Sequence, residues 1–124
     1  MTAPSTTKAP VLIVEDDGPL RELLTIILEG EGFEVESAAN GEEALARLIA
    51  RPPAVLLLDM RMPVMDGWQL VLEIDRSQLP RPPIVVLTAA TDPAERAEEV
   101  RADAWLAKPF DRDELLSLMR SYMD

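Results

Sequence analysis

Val11-Leu12-Ile13-Val14 runs straight into Glu15-Asp16-Asp17, and three further segments repeat the pattern. Val55-Leu56-Leu57-Leu58 ends in Asp59, Ile84-Val85-Val86-Leu87 in Thr88, and Trp105-Leu106-Ala107 in Lys108-Pro109. Each apolar run has the length and branching of a fully buried strand. In a parallel sheet the C-terminal strand ends open onto one edge, where ligands bind. Three or four carboxylates, one hydroxyl and one ammonium are thus delivered to a single cleft. Such a set suits a hard cation and a phosphate.

From Pro10 onward, strand-like and helix-like periods alternate five times. Leu20, Leu23, Leu24, Ile27 and Leu28 keep the i, i+3, i+4, i+7, i+8 spacing of one helix face. That helix is expected to start near Asp17 or Gly18, with Pro19 in its first turn, and to stop at Gly30 to Gly32. Phe33-Glu34-Val35-Glu36 alternates as a half-buried edge strand. Asn40 with Glu43 has capping-box spacing and opens a helix that buries Ala44, Leu45, Leu48 and Ile49. A helix from about Gly67 turns Leu70, Val71 and Ile74 inward. Asp92-Pro93-Ala94-Glu95 is a second helix start with box spacing, and Asp111 with Glu114 opens a last helix carrying Leu115, Leu118, Met119 and Tyr122. Five βα units imply right-handed crossovers and an α/β fold whose parallel sheet is covered on both faces. Met1 to Lys8 reads as a loose tail (1–8) ahead of one domain at 9–124.

At 124 residues the chain fits one domain, and an apolar content of 48% suits a packed globule. Cysteine is absent, which excludes disulfides and thiolate metal sites and is compatible with a reducing compartment. No signal-peptide pattern and no membrane-length apolar run occurs, so the expected location is the cytoplasm. The net charge of −11 would repel nucleic-acid phosphates, so neither direct DNA contact nor membrane contact is expected.

Glu15, Asp16 and Asp59 are expected within a few ångströms of one another. Two like charges 4 Å apart repel by about 4 kcal/mol at an effective dielectric near 20. A divalent cation relieves that cost, and oxygen donors without histidine or thiolate select Mg²⁺ or Mn²⁺. Lys108 is read as a point cation for phosphate, against the alternative of a solvated surface lysine. Thr88 is read as a hydroxyl donor to a phosphoryl oxygen, against a β-branched residue chosen for strand propensity. Asp17 is read as a helix cap. Met60, Met62 and Met65 are flexible packing around the loop rather than ligands, because thioethers suit soft ions.

The most specific stretch is Leu57-Leu58-Asp59-Met60-Arg61-Met62-Pro63-Val64-Met65-Asp66-Gly67. It resembles the phosphorylation-site signature of the receiver domains of two-component response regulators. With the four segments in order, the resemblance runs from about Pro10 to Tyr122 and is of the single-domain, chemotaxis-regulator-like kind. The resemblance implies a flavodoxin-like doubly wound sheet in the order 2-1-3-4-5, with helices on both faces. It implies Asp59 as the phosphoacceptor, with Asp16, Asp59 and the backbone carbonyl of Arg61 as metal ligands and Glu15 holding a metal-bound water. Pro109 is implied to follow a cis bond. Trp105 stands where the family commonly has an aromatic switch residue paired with Thr88, and a buried core tryptophan is the competing reading. The implied partners are a sensor histidine kinase or histidine phosphotransfer protein, and a downstream target on the face of the fourth helix, fifth strand and fifth helix.

This sequence departs from the family pattern in places. Thr88 and Lys108 are 20 positions apart, about two fewer than usual, which implies a short or irregular fourth helix. Arg101 stands where a glycine commonly precedes the fifth strand. Ala104 and Leu118 replace charged residues through which DNA-binding members often dimerise. Arg61 and Ala90 occupy positions that tune phosphoryl-group lifetime in the family. The expected function is a phosphorylation-dependent signalling switch that catalyses only its own phosphoryl transfer and dephosphorylation. The alternatives are a receiver fragment of a longer multidomain regulator, a Mg²⁺-dependent aspartyl phosphatase, and a receiver-shaped binding module that no longer uses phosphorylation. A phosphatase of that type needs a carboxylate two positions after its nucleophile, where this chain has Arg61.

Overall fold

The computed structural model describes residues 9–62 and 64–122. The expected tail at 1–8 lies outside the described residues. Five strands and five helices alternate: β1 (Val11–Val14), α1 (Gly18–Gly30), β2 (Val35–Ala38), α2 (Gly41–Ala50), β3 (Val55–Asp59), α3 (Gly67–Arg76), β4 (Ile84–Thr88), α4 (Pro93–Glu99), β5 (Ala104–Ala107) and α5 (Arg112–Arg120). All pairings are parallel, in the order β2-β1-β3-β4-β5. This is the flavodoxin-like arrangement, and β1 and β3 flank its topological switch point.

Strand alternation divides the core between the two sheet faces. Leu12, Val14, Leu56, Leu58, Ile84 and Val86 meet α2, α3 and Ala97 of α4. Val11, Ile13, Val55, Leu57, Val85 and Leu87 meet α1 and α5 through Leu24, Leu28, Leu115, Leu116 and Met119. Every residue of β1, β3 and β4 is buried, as expected of central strands in a doubly covered sheet. The edge strand β2 is only half-buried, but it starts at Val35 rather than Phe33 because Gly32, at φ 91, is still turning the chain out of α1.

Two helices bury a narrower stripe than their spacing implies. Leu24 and Leu28 are buried in α1, whereas Leu23 is 48% exposed. Ala44 and Leu48 are buried in α2, but Ile49 is 64% exposed. In these two helices the sheet covers the row beneath the helix axis and a residue of the flanking row reaches solvent.

Each helix starts at an Asp or Asn: Asp17, Asn40, Asp66, Asp92 and Asp111 accept from first-turn amides, offsetting donors that have no intrahelical partner. Asp111 and Glu114 complete the expected capping box, and Asp66 with Gln69 forms another. At α2 the return arm is displaced: Glu43 accepts from the Ala39 amide at 3.0 Å instead of from Asn40. Gly67 permits a close approach, since a Cβ there would lie 2.8 Å from Met60 Cα and 3.2 Å from the Asp59 carbonyl oxygen. That contact seats the start of α3 against the end of β3.

α4 is seven residues long, the short fourth helix expected. After it Arg101 adopts φ 53, the left-handed region that favours glycine. Its side chain is largely exposed and reaches Asp75 only at 3.9 Å. Arg101→Gly should therefore raise stability by about 0.5–1 kcal/mol, since relief of left-handed strain exceeds the added chain entropy. Urea unfolding midpoints would register the gain, and a lower midpoint would contradict it.

Candidate functional site

The four strand ends form a nearly level row. Val14 pairs with Leu58, so Glu15 and Asp59 are the next residues on adjacent strands. Asp59 pairs with Leu87, and Thr88 with Ala107, which places Thr88 and Lys108 beside them. The Lys108 amide donates to the Thr88 carbonyl at 2.8 Å, and the Lys108–Pro109 bond is cis.

Glu15 extends the β1 ladder, its amide donating to the Ala38 carbonyl at 3.1 Å. Its side chain is buried, with Oε1 2.9 Å from Lys108 Nζ and Oε2 accepting from the Asp17 amide at 3.2 Å. Asp59 is also buried, lying 3.7 Å from Lys108 Nζ and accepting from the Arg61 amide at 3.3 Å. Asp16 is exposed. Carboxylate oxygens of Glu15, Asp16 and Asp59 lie within 4.8 Å of one another. Thr88 is buried at the end of β4, its Oγ1 accepting from the Ala90 amide at 3.1 Å. These residues line a cleft of about 450 Å³, completed by Asp17, Arg61, Ala89 and Ala90.

Burial, followed by the hydrogen bond with and repulsion from Glu15, pushes the Asp59 carboxyl up to about 7; Lys108 and the Arg61 amide pull the other way without prevailing. Burial alone would lower the Lys108 ammonium, but Glu15 and Asp59 outweigh it and hold it above its ordinary value. Three convergent carboxylates face one ammonium, so excess negative charge remains in a site built from hard oxygen donors. That donor set fits a divalent cation such as Mg²⁺.

All the candidate cleft residues, Glu15, Asp16, Asp59, Arg61, Thr88 and Lys108, are thus brought together. Trp105 is not among them. It lies on β5 at 48% exposure, so the alternative of a buried core tryptophan does not describe it. Asp17 caps α1, its Oδ1 accepting from the Leu20 amide at 3.2 Å. Met60 and Met62 are packed in the core, and Met65 lies against it. Two features escape the sequence reading. Lys108 is committed to Glu15, and Arg21 Nη1 donates to the Glu15 carbonyl at 2.7 Å. No sequence signal marks either contact, since both depend on how separate segments close on the β1–α1 turn.

A doubly wound parallel sheet with an acid-lined cleft, a hydroxyl and a lysine at its switch point places the chain among α/β proteins whose acidic cleft could hold a metal ion. The family profile for the response regulator receiver domain matches residues 11–120, and the chain belongs to that family. It is 38% identical over 120 residues to the DNA-binding response regulator MtrA of Mycobacterium tuberculosis, covering 94% of this chain and 51% of MtrA. It is 35% identical over 118 residues to the probable transcriptional regulator ycf27 of Porphyridium aerugineum, covering 94% and 48% respectively. The chain thus spans about half the length of these two relatives. Among solved structures it resembles the chemotaxis response regulator CheY4 of Vibrio cholerae, with TM-score 0.81, 38% identity, and coverage of 94% of this chain and 99% of that one. Receiver domains are signalling switches of two-component systems whose general function is phosphorylation-dependent; they interact with histidine kinases and downstream effectors. Among the described residues no helix is long and apolar enough to cross a membrane.

The raised Asp59 carboxyl has a testable thermodynamic sign. Between the unfolded value near 4 and the folded value of about 7, the folded state holds the proton more tightly. Asp59 therefore contributes less to stability as pH rises through this window. Without divalent cations, Asp59→Asn should exceed the wild type by about 1–3 kcal/mol at pH 8, with the gap narrowing toward pH 5. Denaturant melts at both pH values measure it, and a gap that widens on acidification would refute the electrostatic account.

Proposed function

We propose that this chain is a phosphorylation-dependent signalling switch, a receiver domain at 9–124 that takes a phosphoryl group from a histidine kinase or histidine phosphotransfer protein onto Asp59. The observation that carries the reading is the convergence of Glu15, Asp16 and Asp59 with Lys108 and Thr88 in one cleft. Asp16, Asp59 and the Arg61 carbonyl would hold Mg²⁺ or Mn²⁺, with Glu15 bonding a water on the ion. When bound, the ion supplies positive charge that offsets the phosphoryl oxygens and keeps Asp59 ionised.

The remaining steps belong to the chain. The Asp59 carboxylate attacks phosphorus, the bond from phosphorus to the donor's imidazole nitrogen breaks, and the donor histidine leaves with the electron pair. An ionised carboxylate needs no general base; alignment and charge compensation suffice. Lys108, 3.7 Å from Asp59, exchanges part of its contact with Glu15 for a phosphoryl oxygen. The Thr88 hydroxyl turns to donate to the same group, while the Ala90 amide loses its acceptor. That loss loosens the loop entering α4, and Trp105 on the neighbouring strand responds to it. The output is a changed binding surface on the α4-β5-α5 face, read by a protein target in the cytoplasm without direct nucleic-acid contact.

The same chemistry would serve within a longer multidomain regulator. The aspartyl-phosphatase alternative lacks its acid/base residue, because Arg61 is two positions beyond Asp59. The receiver domain is accordingly proposed to catalyse only its own phosphoryl transfer and dephosphorylation.

Incubation with acetyl phosphate should add one phosphoryl mass to the intact protein only when Mg²⁺ or Mn²⁺ is present. Asp59→Asn should stay unmodified, and wild-type levels of phosphate on that variant would falsify the acceptor assignment. Asp16→Ala should abolish Mg²⁺ binding, whereas Asp17→Ala should keep it and lose about 1 kcal/mol of stability with the cap. Calorimetric titrations beside melting curves separate the two acids. Equal loss of affinity would show the acid pair to be misassigned.

A further inference from the structure

Arg21 lies in the first turn of α1, half-buried, with an unusual commitment in so acidic a chain. Its guanidinium pairs with no carboxylate among the described residues. Instead Nη1 donates to the main-chain carbonyl of Glu15 at 2.7 Å. The Arg21 amide donates to the Asp17 carbonyl at 2.8 Å, and its own carbonyl accepts from Thr25 Oγ1 at 2.9 Å. Arg21 therefore grips both ends of the three-residue acidic turn, one end by side chain and the other by backbone.

That turn contains an acid with little else to hold it. Asp16 is exposed and makes no side-chain hydrogen bond among the described residues, yet its oxygen stands within 4.8 Å of those of Glu15 and Asp59. The Glu15 carbonyl belongs to the planar peptide unit that includes the nitrogen and Cα of Asp16. Holding this oxygen fixes the plane from which Asp16 projects. The flanking bonds, from the Glu15 amide to Ala38 and from the Asp17 amide to Glu15 Oε2, leave that peptide's own acceptor to Arg21.

We infer that Arg21 is a positioning residue for divalent-cation binding, acting through the Glu15–Asp16 peptide to hold Asp16 over the cleft. The inference rests on the reading of Glu15, Asp16 and Asp59 as a Mg²⁺ site. Two effects of removing the guanidinium have opposite signs. On charge alone, deleting a cation beside three carboxylates strengthens binding of a divalent cation. Releasing the peptide weakens binding, because a ligand held by an outer hydrogen bond loses about tenfold in metal affinity or more when that bond is removed.

Titration calorimetry with MgCl₂ on the unphosphorylated protein reads the sign directly, without reference to phosphotransfer. Arg21→Met should bind Mg²⁺ about tenfold more weakly than wild type, while Arg21→Lys, which keeps a charged donor, should recover to within about threefold. Thr25→Ala, a change on the same helix that spares the Glu15 contact, should bind like wild type. Unchanged or tighter binding by Arg21→Met would overturn the inference, as would an equal loss in Thr25→Ala. Circular dichroism checks the fold of each variant; if Arg21→Met does not fold, Arg21→Gln, whose amide is too short to reach the carbonyl, carries the same expectation. A wild type that binds no Mg²⁺ would overturn the cation reading and the inference with it. Intact wild-type binding with no loss in the Arg21 variants overturns the inference alone.

Discussion

The parallel pairing of β1 with β3 is the constraint on which the molecule turns. These strands lie side by side although a whole βα unit separates them in the chain, so the crossovers leave in opposite directions and a crevice opens between them. Their register then matters to the residue. Val14 opposite Leu58 brings Glu15 and Asp59 to the same level, and a slip of one position would turn one carboxylate toward the other face of the sheet. The unbroken burial of both strands makes such a slip costly.

The site stores an electrostatic conflict that the rest of the sheet is stable enough to hold. Glu15 and Asp59 are buried together, and the single ammonium of Lys108 lies nearer to Glu15, leaving Asp59 as the less compensated of the two. Arriving positive charge relieves this conflict, and an arriving phosphoryl group competes for the lysine. In the proposed reading, the response to phosphate chemistry would run through charges already in place. Around them, capped helix starts and the close contact of Gly67 with Met60 fix the backbone from which those charges project.

Much of this was legible in the chain because it depends on local pattern. Buried strands have branched apolar runs, helix starts have Asx residues with the right spacing, and strand ends in a parallel sheet share an edge. Legibility stopped where a third dimension decides. Leu23 and Ile49 satisfy helical spacing, but how wide a stripe the sheet covers is set by helix placement, and both face solvent. Phe33 alternates correctly with Val35, yet the turn at Gly32 delays the strand. The commitments of Lys108 to Glu15 and of Arg21 to the Glu15 carbonyl join segments that no periodicity relates. In Trp105, residue type left burial open, and an edge strand left it half in solvent.

The brevity of α4 bears on which part of the molecule opens first. Ala97 is the only buried residue within the helix, with Val100 just beyond it. The rest of its attachment is polar and near solvent: Trp68 Nε1 donates to Glu99 at 2.9 Å, and Arg81 donates to the carbonyls of Val100 and Arg101. Local unfolding free energy follows buried apolar contact, so α4, with fewer buried residues than any of the other four described helices, is expected to be the least protected of them against solvent exchange. The segment that directly continues the Thr88 loop is thereby also the one whose rearrangement disturbs least of the core.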